Sequence, residues 1–572
     1  MKNIEIAKML WEMVEMLEIK GANLFRIRAF QKAAQNIENL GEDIAQIAKR
    51  GELQSIPGVG KGVAKRIEEI LKTGKLKEYE KLKKGFPPGL MQIISVPEVG
   101  PKTARLLYDK LGIKSIKDLE KAAKAHKIQS LFGLGAKIEE NILHGIEIHQ
   151  ELKKRMLLFE ALSAVRPIIE DLKRLPEVRL ISEAGSLRRR KETIGDIDIL
   201  TSSTRPGTIM KAFIHFPEVK EILAKGLTKS SVRLKDGLQV DLRVVKPGSF
   251  GAALVYFTGS KSHNIKIREL AKKKKLKVSE YGVFRSKGNK KIAGKTEEEV
   301  YKSLGLPWIP PELREDQGEI EAAFKNQLPR LVKLSDIQGD FHVHSNWSDG
   351  ADSIEDIAKA ARAKGYQYIV IADHSQSLKV ARGLSLENLK KKIHLIHKLN
   401  NNLKGLKVLT GAEVDIKSDG SLDYPDWILS ELDVVIAAIH SGFKQSRDQL
   451  TTRILKAMGN KYVDIIAHPT GRLMGAREPY EIDFDKIFKQ AGLTQIALEI
   501  NAFPQRLDLN DLNVRRAKKF GVKFTIGTDA HILTQLANIE LGVSVARRGW
   551  LEKNDLLNTL SLPDLQKWLK KK

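Results

Sequence analysis

The spacing of apolar and polar residues divides the chain into parts of different secondary structure. Residues 1 to about 150 show the period of short amphipathic helices, as in 10–17 and 63–71, separated by glycine-containing turns. From about 178 the pattern becomes that of β-strands, in runs such as VRLISEAG, DIDILTS, SSVRLKD and LQVDLRVV, with helical segments between them. We therefore predict a multidomain protein with an all-α N-terminal region followed by an α+β region.

The C-terminal part alternates apolar strands with amphipathic helices. The predicted strands are GDFHVH, YIVIADH, KVLTGAE, VVIAAIH, VDIIAH, IALEIN and FTIGTDAH. Continuous Val, Ile and Ala runs separated by helices are typical of a parallel sheet. Seven such units predict a (β/α) barrel that is one unit short of the usual eight.

Length and proline content place the domain boundaries. A chain of 572 residues favours about four domains at roughly 150 residues each. The segment LGLPWIPPELREDQGE (304–319) contains three prolines within five residues and then a charged helical pattern. We predict that a domain ends here and that a linker covers 319–335.

The composition restricts the partners and the chemistry. Lys and Arg exceed Asp and Glu by 27 residues, which indicates a polyanionic partner, nucleic acid before a membrane surface. Because cysteine is absent, any metal site must use His, Asp and Glu. No apolar run approaches the ~18 residues of a membrane span, so we expect a soluble, cytoplasmic protein.

The excess positive charge is concentrated in the first part of the chain. Residues 1–334 carry 64 basic and 42 acidic side chains, a net charge of +22. Residues 335–572 carry 34 basic and 29 acidic side chains, a net charge of +5. This asymmetry indicates that one part binds a polyanion and that the other has a different task.

A degenerate repeat recurs in the helical region: SIPGVGKGVAKRI (55–67), SVPEVGPKTARLL (95–107) and, more weakly, SLFGLGAKIEENI (130–142). Its glycines allow a tight turn and leave amide groups at a helix N-terminus free for a phosphate. The repeats resemble helix-hairpin-helix motifs, which bind the DNA backbone without reading its sequence. The predicted DNA-binding residues are Gly58, Gly60, Lys61, Lys65, Gly100, Lys102 and Arg105.

Three carboxylates of the middle region form a second candidate site. Asp196 and Asp198, in GDIDIL, project from the same face of one predicted strand, and Asp241 lies alone on a later strand. Several carboxylates on one rigid surface can hold the two divalent cations of phosphoryl transfer. Upstream, residues 185–189 (GSLRR) offer a flexible turn, a hydroxyl and two guanidinium groups, which suit a triphosphate.

The segments GSLRRRKETIGDIDIL, LQVDLRV and LVYFTGSKSHNIKIREL closely resemble family X DNA polymerases of the polymerase beta type, over residues 1 to about 318. The resemblance implies an 8-kDa-type DNA-binding domain (1–85), fingers (86–150), a nucleotidyltransferase palm (151–242) and a thumb (243–318). It also implies Mg²⁺ held by the three aspartates, with Asp241 as the base for the primer 3′-hydroxyl. The implied nucleotide contacts are Arg155, Ser186, Arg189 and Gly195 for the triphosphate, Tyr256, Phe257 and Gly259 for the sugar, Asn264 for the base and Arg268 for the template side.

The sequence departs from that family at two points. Where members with deoxyribose-phosphate lyase activity have a Schiff-base lysine, this chain has Arg66, which cannot act as an amine nucleophile. Lys65 is adjacent but is expected to face elsewhere, and a pocket lysine upstream is replaced by Arg26. Gln239 stands where an arginine lies near the primer terminus. We expect 5′-phosphate binding without a lyase of the usual type.

Six of the 13 histidines fall at the ends of the predicted barrel strands, where a parallel barrel brings residues together at one mouth. They are His342, His344, His374, His440, His468 and His531, accompanied by Asp349, Asp373, Glu413, Asp529 and, less clearly, Glu499. His394 and His397 follow a helical pattern and are expected at the surface or in the core. Imidazoles and carboxylates suit Zn²⁺, Mn²⁺ or Fe, and bound metals suit phosphoester hydrolysis.

The segments FHVHSNWSDG, ADH, GAE, AIH, AHP and GTDAH resemble the polymerase and histidinol phosphatase (PHP) domain over 336–572. The resemblance implies a distorted seven-stranded barrel with up to three ions, for which Mn²⁺ or Zn²⁺ is expected. The implied ligand sets are His342, His344, Glu413 and Asp529; Glu413, His440 and His468; and Asp349, His374 and His531.

These features together predict a monomeric repair enzyme that fills short gaps in gapped or primed DNA with dNTPs. Its second domain would remove 3′-terminal nucleotides or blocking groups as a 3′-5′ exonuclease and phosphoesterase. One alternative is an end-processing nuclease or apurinic endonuclease whose polymerase part mainly binds DNA. A small-molecule phosphatase is another, against which the +22 charge of residues 1–334 argues. A DNA-binding scaffold would need neither metal cluster.

Overall fold

The computed structural model describes residues 3–20, 22–38, 44–56, 58–84, 89–94, 96, 99–152, 155–235 and 237–570. Up to residue 152 the described segments form helices around one hydrophobic cluster, in which α1 packs along α2. The helices are α1 Asn3–Ile19, α2 Leu24–Glu38, α3 Ile44–Lys49, α4 Lys61–Thr73, α5 Lys77–Lys84, α6 Leu90–Ile94, α7 Pro101–Leu111, α8 Ile116–Lys124 and α9 Ala136–Leu152. The predicted all-α N-terminal region is confirmed.

The region from 156 to 245 contains a five-stranded sheet with helices packed against it. Its elements are β1 Met156–Leu157, α10 Leu158–Lys173, β2 Leu180–Glu183, α11 Gly185–Arg188, β3 Thr193–Ile194, β4 Ile197–Ser202, α12 Pro206–Ile214, β5 Val219–Ala224, β6 Lys229–Leu234 and β7 Gln239–Val245. The sheet order is β2-β4-β7-β6-β5, and β1 pairs with β3 outside it. The central strands β4 and β7 run parallel, and the other pairs are antiparallel. The predicted α+β region is confirmed.

Four helices and a small antiparallel sheet follow. The elements are α13 Phe250–Thr258, α14 Lys261–Lys273, β8 Leu276–Ser279, β9 Gly282–Arg285, β10 Lys291–Ala293, α15 Glu297–Ser303 and α16 Glu319–Phe324. The helix α16 lies in the segment predicted as a linker. Its first residue, Glu319, is fully buried and pairs with the buried His263 of α14 at 2.6 Å. This segment therefore packs against the preceding domain.

The C-terminal part forms a barrel of seven parallel strands in chain order. Its elements are β11 Gly339–Val343, α17 Ile354–Ala363, β12 Tyr368–Ile371, α18 Leu386–Asn400, β13 Lys407–Asp415, α19 Asp426–Leu429, β14 Val434–Ala438, α20 Arg447–Met458, β15 Ile465–Ile466, α21 Phe484–Thr494, β16 Ala497–Asn501, α22 Asp511–Lys518, β17 Phe524–Gly527, α23 Ile539–Arg548 and α24 Leu562–Leu569. A single bridge between Val343 and Ala530 nearly closes it. The seven predicted strands and the barrel are confirmed.

Local sequence explains the helix ends and the shape of the connections. Ser353 and Ser446 are the N-cap residues of α17 and α20. Each hydroxyl accepts a hydrogen bond from the amide three residues later. Gly74 and Gly112 follow α4 and α7 as their C-cap residues, in the left-handed conformation that glycine tolerates. Short 3₁₀ turns lie at Leu53–Ser55, Pro247–Ser249, Pro311–Leu313, Leu334–Asp336, Lys379–Ala381, Leu533–Asn538, Lys553–Asp555 and Leu557–Thr559.

The five-stranded sheet and the barrel share one hydrophobic cluster, so that they pack directly against each other. An ion pair between Arg166 of α10 and Glu540 of α23 crosses the same contact, and Arg547 of α23 pairs with Glu312 in the segment after α15. The barrel therefore forms a fixed wall beside the sheet that carries the predicted carboxylate trio.

Two candidate active sites and a DNA-binding surface

The three predicted hairpins share one turn geometry. The amides of Val59, Val99 and Leu134 each donate to the carbonyl three residues earlier, at 2.9 to 3.0 Å. Helices α4, α7 and α9 begin two residues after these positions. No atom lies within 4 Å of the position that a Cβ would occupy on Gly60, Gly100 or Gly135. Pro57, Ser95, Pro97 and Glu98 of the repeats lie outside the described residues.

The cationic side chains of the first two hairpins point to solvent. Lys61 and Lys65 on α4, and Lys102 and Arg105 on α7, are exposed. Arg105 pairs with Asp109 one turn along its own helix at 2.6 Å. Open glycines beside exposed cations form two surfaces that a phosphodiester backbone can approach closely.

The position expected for a lyase nucleophile holds a paired guanidinium. Arg66 Nε lies 2.5 Å from Glu78 Oε2, and Arg66 Nη1 donates to the carbonyl of Gly62 at 2.7 Å. Arg26 pairs with the other oxygen of Glu78. Glu78 thus joins both arginines that replace the expected lysines, whereas Lys65 is exposed on the same helix.

The carboxylate trio comes together at one end of the two parallel strands. Asp198 on β4 lies directly opposite Asp241 on β7, and Asp196 precedes β4 by one residue. Burial and the charges of Asp196 and Asp241 raise the pKa of Asp198 to about 7. Carboxylates that repel one another this strongly need additional positive charge, which a divalent cation can supply.

Asp241 is buried, and it is held by several neighbouring donors. Burial alone would raise its pKa, but donors from Gln239, Ser231 and Lys229 lower it. Gln239 Nε2 lies 3.0 Å from Asp241 Oδ1, and Lys229 Nζ lies 3.2 Å from Oδ2. Gln239 therefore orients the carboxylate predicted to act as the base.

A cavity of about 580 Å³ adjoins the trio. The predicted nucleotide contacts that line it are Arg155, Ser186, Arg189, Tyr256, Phe257, Gly259, Asn264 and Arg268, together with Asp196 and Asp198. Gly195 is not among the lining residues, but a Cβ there would lie 3.3 Å from Arg155 Nη1. The lining also includes Gly185, which belongs to the predicted flexible turn, and Lys191, Thr258 and Lys261, which the sequence reasoning did not single out although they lie in the motif segments.

A buried ionic network holds the wall of this cavity. Arg188 makes a two-bond pair with Glu297, at 2.7 Å for each bond, and Glu297 also pairs with the fully buried Arg314. Arg189 Nη1 donates to the carbonyl of Thr258 at 2.5 Å. Both arginines are thereby fixed between the sheet and helix α13.

The nine predicted metal ligands meet at the mouth of the barrel. Three subsets have ligand atoms within 4.8 Å of one another: His344, Asp349, His374 and His531; His342, His344 and Asp529; and His374, Glu413 and His440. His468 Nε2 lies 2.7 Å from Glu413 Oε1. The grouping differs from the implied one. His344 and His374 each belong to two groups, Glu413 does not join His342, His344 and Asp529, and His468 is in none of the three groups.

Three ligand nitrogens are buried without a hydrogen-bond partner: His342 Nε2, His344 Nδ1 and His468 Nδ1. Burying an unpaired polar atom costs about 1–3 kcal/mol. Burial alone would raise the pKa of Glu413, but His440, His374 and His342 hold it well below its ordinary value. Orphaned nitrogens around ionised carboxylates fit metal coordination.

An outer set of residues orients these ligands. Asp415 Oδ1 lies 2.6 Å from His440 Nδ1, and Glu499 Oε1 lies 2.7 Å from His342 Nδ1. Such contacts fix which ring nitrogen faces a metal. Asp415 was missed by the sequence reasoning, although it stands two residues after Glu413 and so shares its strand face.

Asp373 does not join the ligand groups. Its carboxylate accepts from the hydroxyls of Ser345 and Ser348, and it pairs with the fully buried Lys392 of α18 at 3.0 Å. His394 and His397 are exposed on α18, as expected for surface residues.

Among the described residues, none of the helices has the length and apolar character of a membrane span.

Family models match four stretches of the chain. They describe a helix-hairpin-helix domain (1–76), a SAM-like helix-hairpin-helix tandem (90–147), the DNA polymerase beta thumb (253–315) and the PHP domain (340–503). The matches follow the order of the domains described above.

Whole-chain comparison adds three informative relatives. The chain is 41% identical over 569 residues, 99% of both chains, to the DNA polymerase/3′-5′ exonuclease PolX of Bacillus subtilis (strain 168). It is 27% identical to DNA polymerase lambda of Rattus norvegicus over 55% of this chain and 56% of that protein. It is 32% identical to a probable phosphatase of Thermoanaerobacter sp. (strain X514) over 41% of this chain and 94% of that protein.

Proposed function

The chain belongs to the family X DNA polymerases that carry a PHP domain, and from this premise we propose that it fills short gaps during DNA repair and trims 3′ ends. One observation carries the proposal: both sites have their full sets of side chains within one molecule. A phosphatase that acted only on small molecules would need neither the carboxylate trio nor the hairpins.

The polymerase reaction uses the trio and the adjoining cavity. Asp196, Asp198 and Asp241 would hold Mg²⁺, and bound divalent cations stabilise the charge on the attacking and leaving oxygens. Asp241 is ionised at neutral pH because its hydrogen bonds lower its pKa, so it can accept the proton of the primer 3′-hydroxyl.

The cavity walls bind and select the nucleotide. Ser186, Arg155 and Arg189 would bind the triphosphate through a hydroxyl and two guanidinium groups. The rings of Tyr256 and Phe257 pack edge to face at 5.1 Å and would leave no room for a ribose 2′-hydroxyl. Asn264 and Arg268, one turn apart on α14, would contact the base and the template side.

The exonuclease reaction takes place at the mouth of the barrel. The nine ligand side chains would hold up to three ions, for which we propose Mn²⁺ or Zn²⁺. Such ions supply a hydroxide nucleophile and stabilise the charge on a phosphoester. Glu413 contacts five of the six histidines directly and keeps them fixed in one arrangement, and Asp415 and Glu499 contact the far ring nitrogens of two of them.

Extension and trimming on one substrate test the proposal. A labelled primer in gapped DNA is expected to lengthen to the end of the gap with Mg²⁺ and dNTPs. With Mn²⁺ and without dNTPs it is expected to shorten from its 3′ end, and gel separation of the products measures both. Shortening without any extension would instead favour an end-processing nuclease or apurinic endonuclease.

The exposed lysines of the hairpins predict that the affinity for DNA falls as the salt concentration rises. Changing Lys61, Lys65 and Lys102 to alanine is expected to weaken binding to gapped DNA and to lower the slope of log K against log salt by about 1–3, since each phosphate contact adds about 0.9. Titration at several salt concentrations measures the slope. Alanine at Lys359, Lys391 and Lys486 is the control, because these exposed lysines pair within their own helices of the barrel region.

A further inference from the structure

Two arginines of the barrel domain contact the loop between α11 and β3, which carries Arg189, one of the proposed triphosphate contacts. Arg548, the last residue of α23, donates from Nη1 to the main-chain carbonyl of Arg189 at 2.7 Å. Arg472, which follows β15, pairs with Glu192 in the same loop. The barrel domain therefore contacts this loop at two points, three residues apart.

The first contact continues as a row of alternating charges. Arg548 pairs with Asp511 of α22 at 2.5 Å and with Glu315 at 3.1 Å. Glu315 Oε1 also lies 3.0 Å from Nε of Arg189. One carboxylate oxygen is thus shared between an arginine of the barrel domain and an arginine of the nucleotide cavity.

This row is shielded from water. The side chain of Arg548 is 3% exposed, and those of Glu315, Asp511 and Arg189 are between 13% and 15% exposed. Charges act on one another more strongly here than at the surface, because solvent screening is weak. Without Arg548, the carboxylates of Glu315 and Asp511 would outnumber the guanidinium of Arg189 and repel a triphosphate, whereas with Arg548 the row carries no net charge.

We infer that Arg548 is a positioning residue for the polymerase: by balancing Glu315 and holding the carbonyl of Arg189, it keeps that guanidinium available for the incoming triphosphate. The barrel domain thereby has a second role, which does not involve its metal ligands. The inference rests on the proposed polymerase function of the cavity.

The neighbouring arginine provides a matched control. The side chain of Arg547, also on α23, pairs with Glu312 at 2.7 Å and donates to the carbonyl of Val332. Replacing Arg547 by methionine removes an ionic contact between the same two domains without touching Glu315 or Arg189.

The experiment measures KM for dNTP and kcat in single-nucleotide gap filling. Arg548→Met is expected to raise KM about tenfold, equivalent to about 1.4 kcal/mol, with kcat and exonuclease activity within about twofold of the original chain. Arg547→Met is expected to leave KM unchanged. Adding Glu315→Gln to Arg548→Met brings the net charge of the row back to zero and is expected to restore most of the affinity.

The outcomes separate the inference from the function on which it rests. If the unaltered chain extends no primer, the proposed polymerase function fails. If it extends primers but both methionine variants raise KM equally, or if Glu315→Gln gives no rescue, Arg548 is only a structural contact and the inference is overturned. Binding of dNTP to a complex with a dideoxy-terminated primer gives the same comparison without turnover.

Discussion

Replacing Asp196 and Asp198 together by alanine is expected to lower gap filling by at least about 10³-fold while 3′-5′ exonuclease activity stays within about twofold. The two side chains share one strand end and, with Asp241, form the proposed cation site. Losing several kcal/mol of charge stabilisation corresponds to this factor, since each 1.36 kcal/mol changes a rate tenfold. Primer extension and primer shortening by the same preparation measure both activities.

The isosteric variant Asp196→Asn with Asp198→Asn controls for packing. It keeps the shape of both side chains and removes their charge, so its gap filling is expected to fall to the same level as in the alanine variant. The pair is also expected to be at least as stable as the original chain, because burial and mutual repulsion oppose ionisation of Asp198. A loss of both enzymatic activities in a folded variant would contradict the two-site assignment.

The sequence predicted the elements that follow a strong local pattern. Each of the seven apolar runs of the C-terminal part contains a strand, even where only Ile465–Ile466 is paired in the ladder. A strand buried on both faces must be apolar throughout, so the first polar residue after it marks the strand end. For this reason His440 and His468 were found as candidate ligands.

Features that depend on contacts distant in sequence were not predicted. Asp373 and His374 both follow the apolar strand β12, and so the sequence indicates the same role for both. The carboxylate of Asp373, however, is bound by the buried Lys392, 19 residues later. Glu315 and Arg548 lie 233 residues apart, and an isolated Glu or Arg carries no sequence pattern that would indicate its partner. Hydrophobic periodicity shows which face of an element is buried but not which element covers it.

The structure explains why the net charge differs between the two parts of the chain. The net charge of +22 in residues 1–334 lies on the part that carries the hairpins and the nucleotide cavity. The C-terminal part, at +5, concentrates its carboxylates and imidazoles at one mouth. Bound cations would make that mouth more positive than the sequence indicates, so both sites can attract the same polyanion.

Replacing His342 and His344 together by alanine is expected to lower 3′-5′ exonuclease activity by at least about 10³-fold and to leave gap filling within about twofold. The two rings lie 5.0 Å apart and belong to a group with Asp529, and His342 Nε2 and His344 Nδ1 are buried without a hydrogen-bond partner. Loss of these ligands also removes metal, which analysis of bound Mn²⁺ or Zn²⁺ in the purified protein measures independently.

Alanine at His394 and His397 is the matched control, because it removes the same number of imidazoles from the exposed face of α18. Both activities and the metal content of this control are expected to equal those of the original chain. If the His342 and His344 variant kept its exonuclease activity, that activity would belong to another site. If the variant lost gap filling while remaining folded, the barrel metals would act on the polymerase, and the independence of the two sites would be wrong.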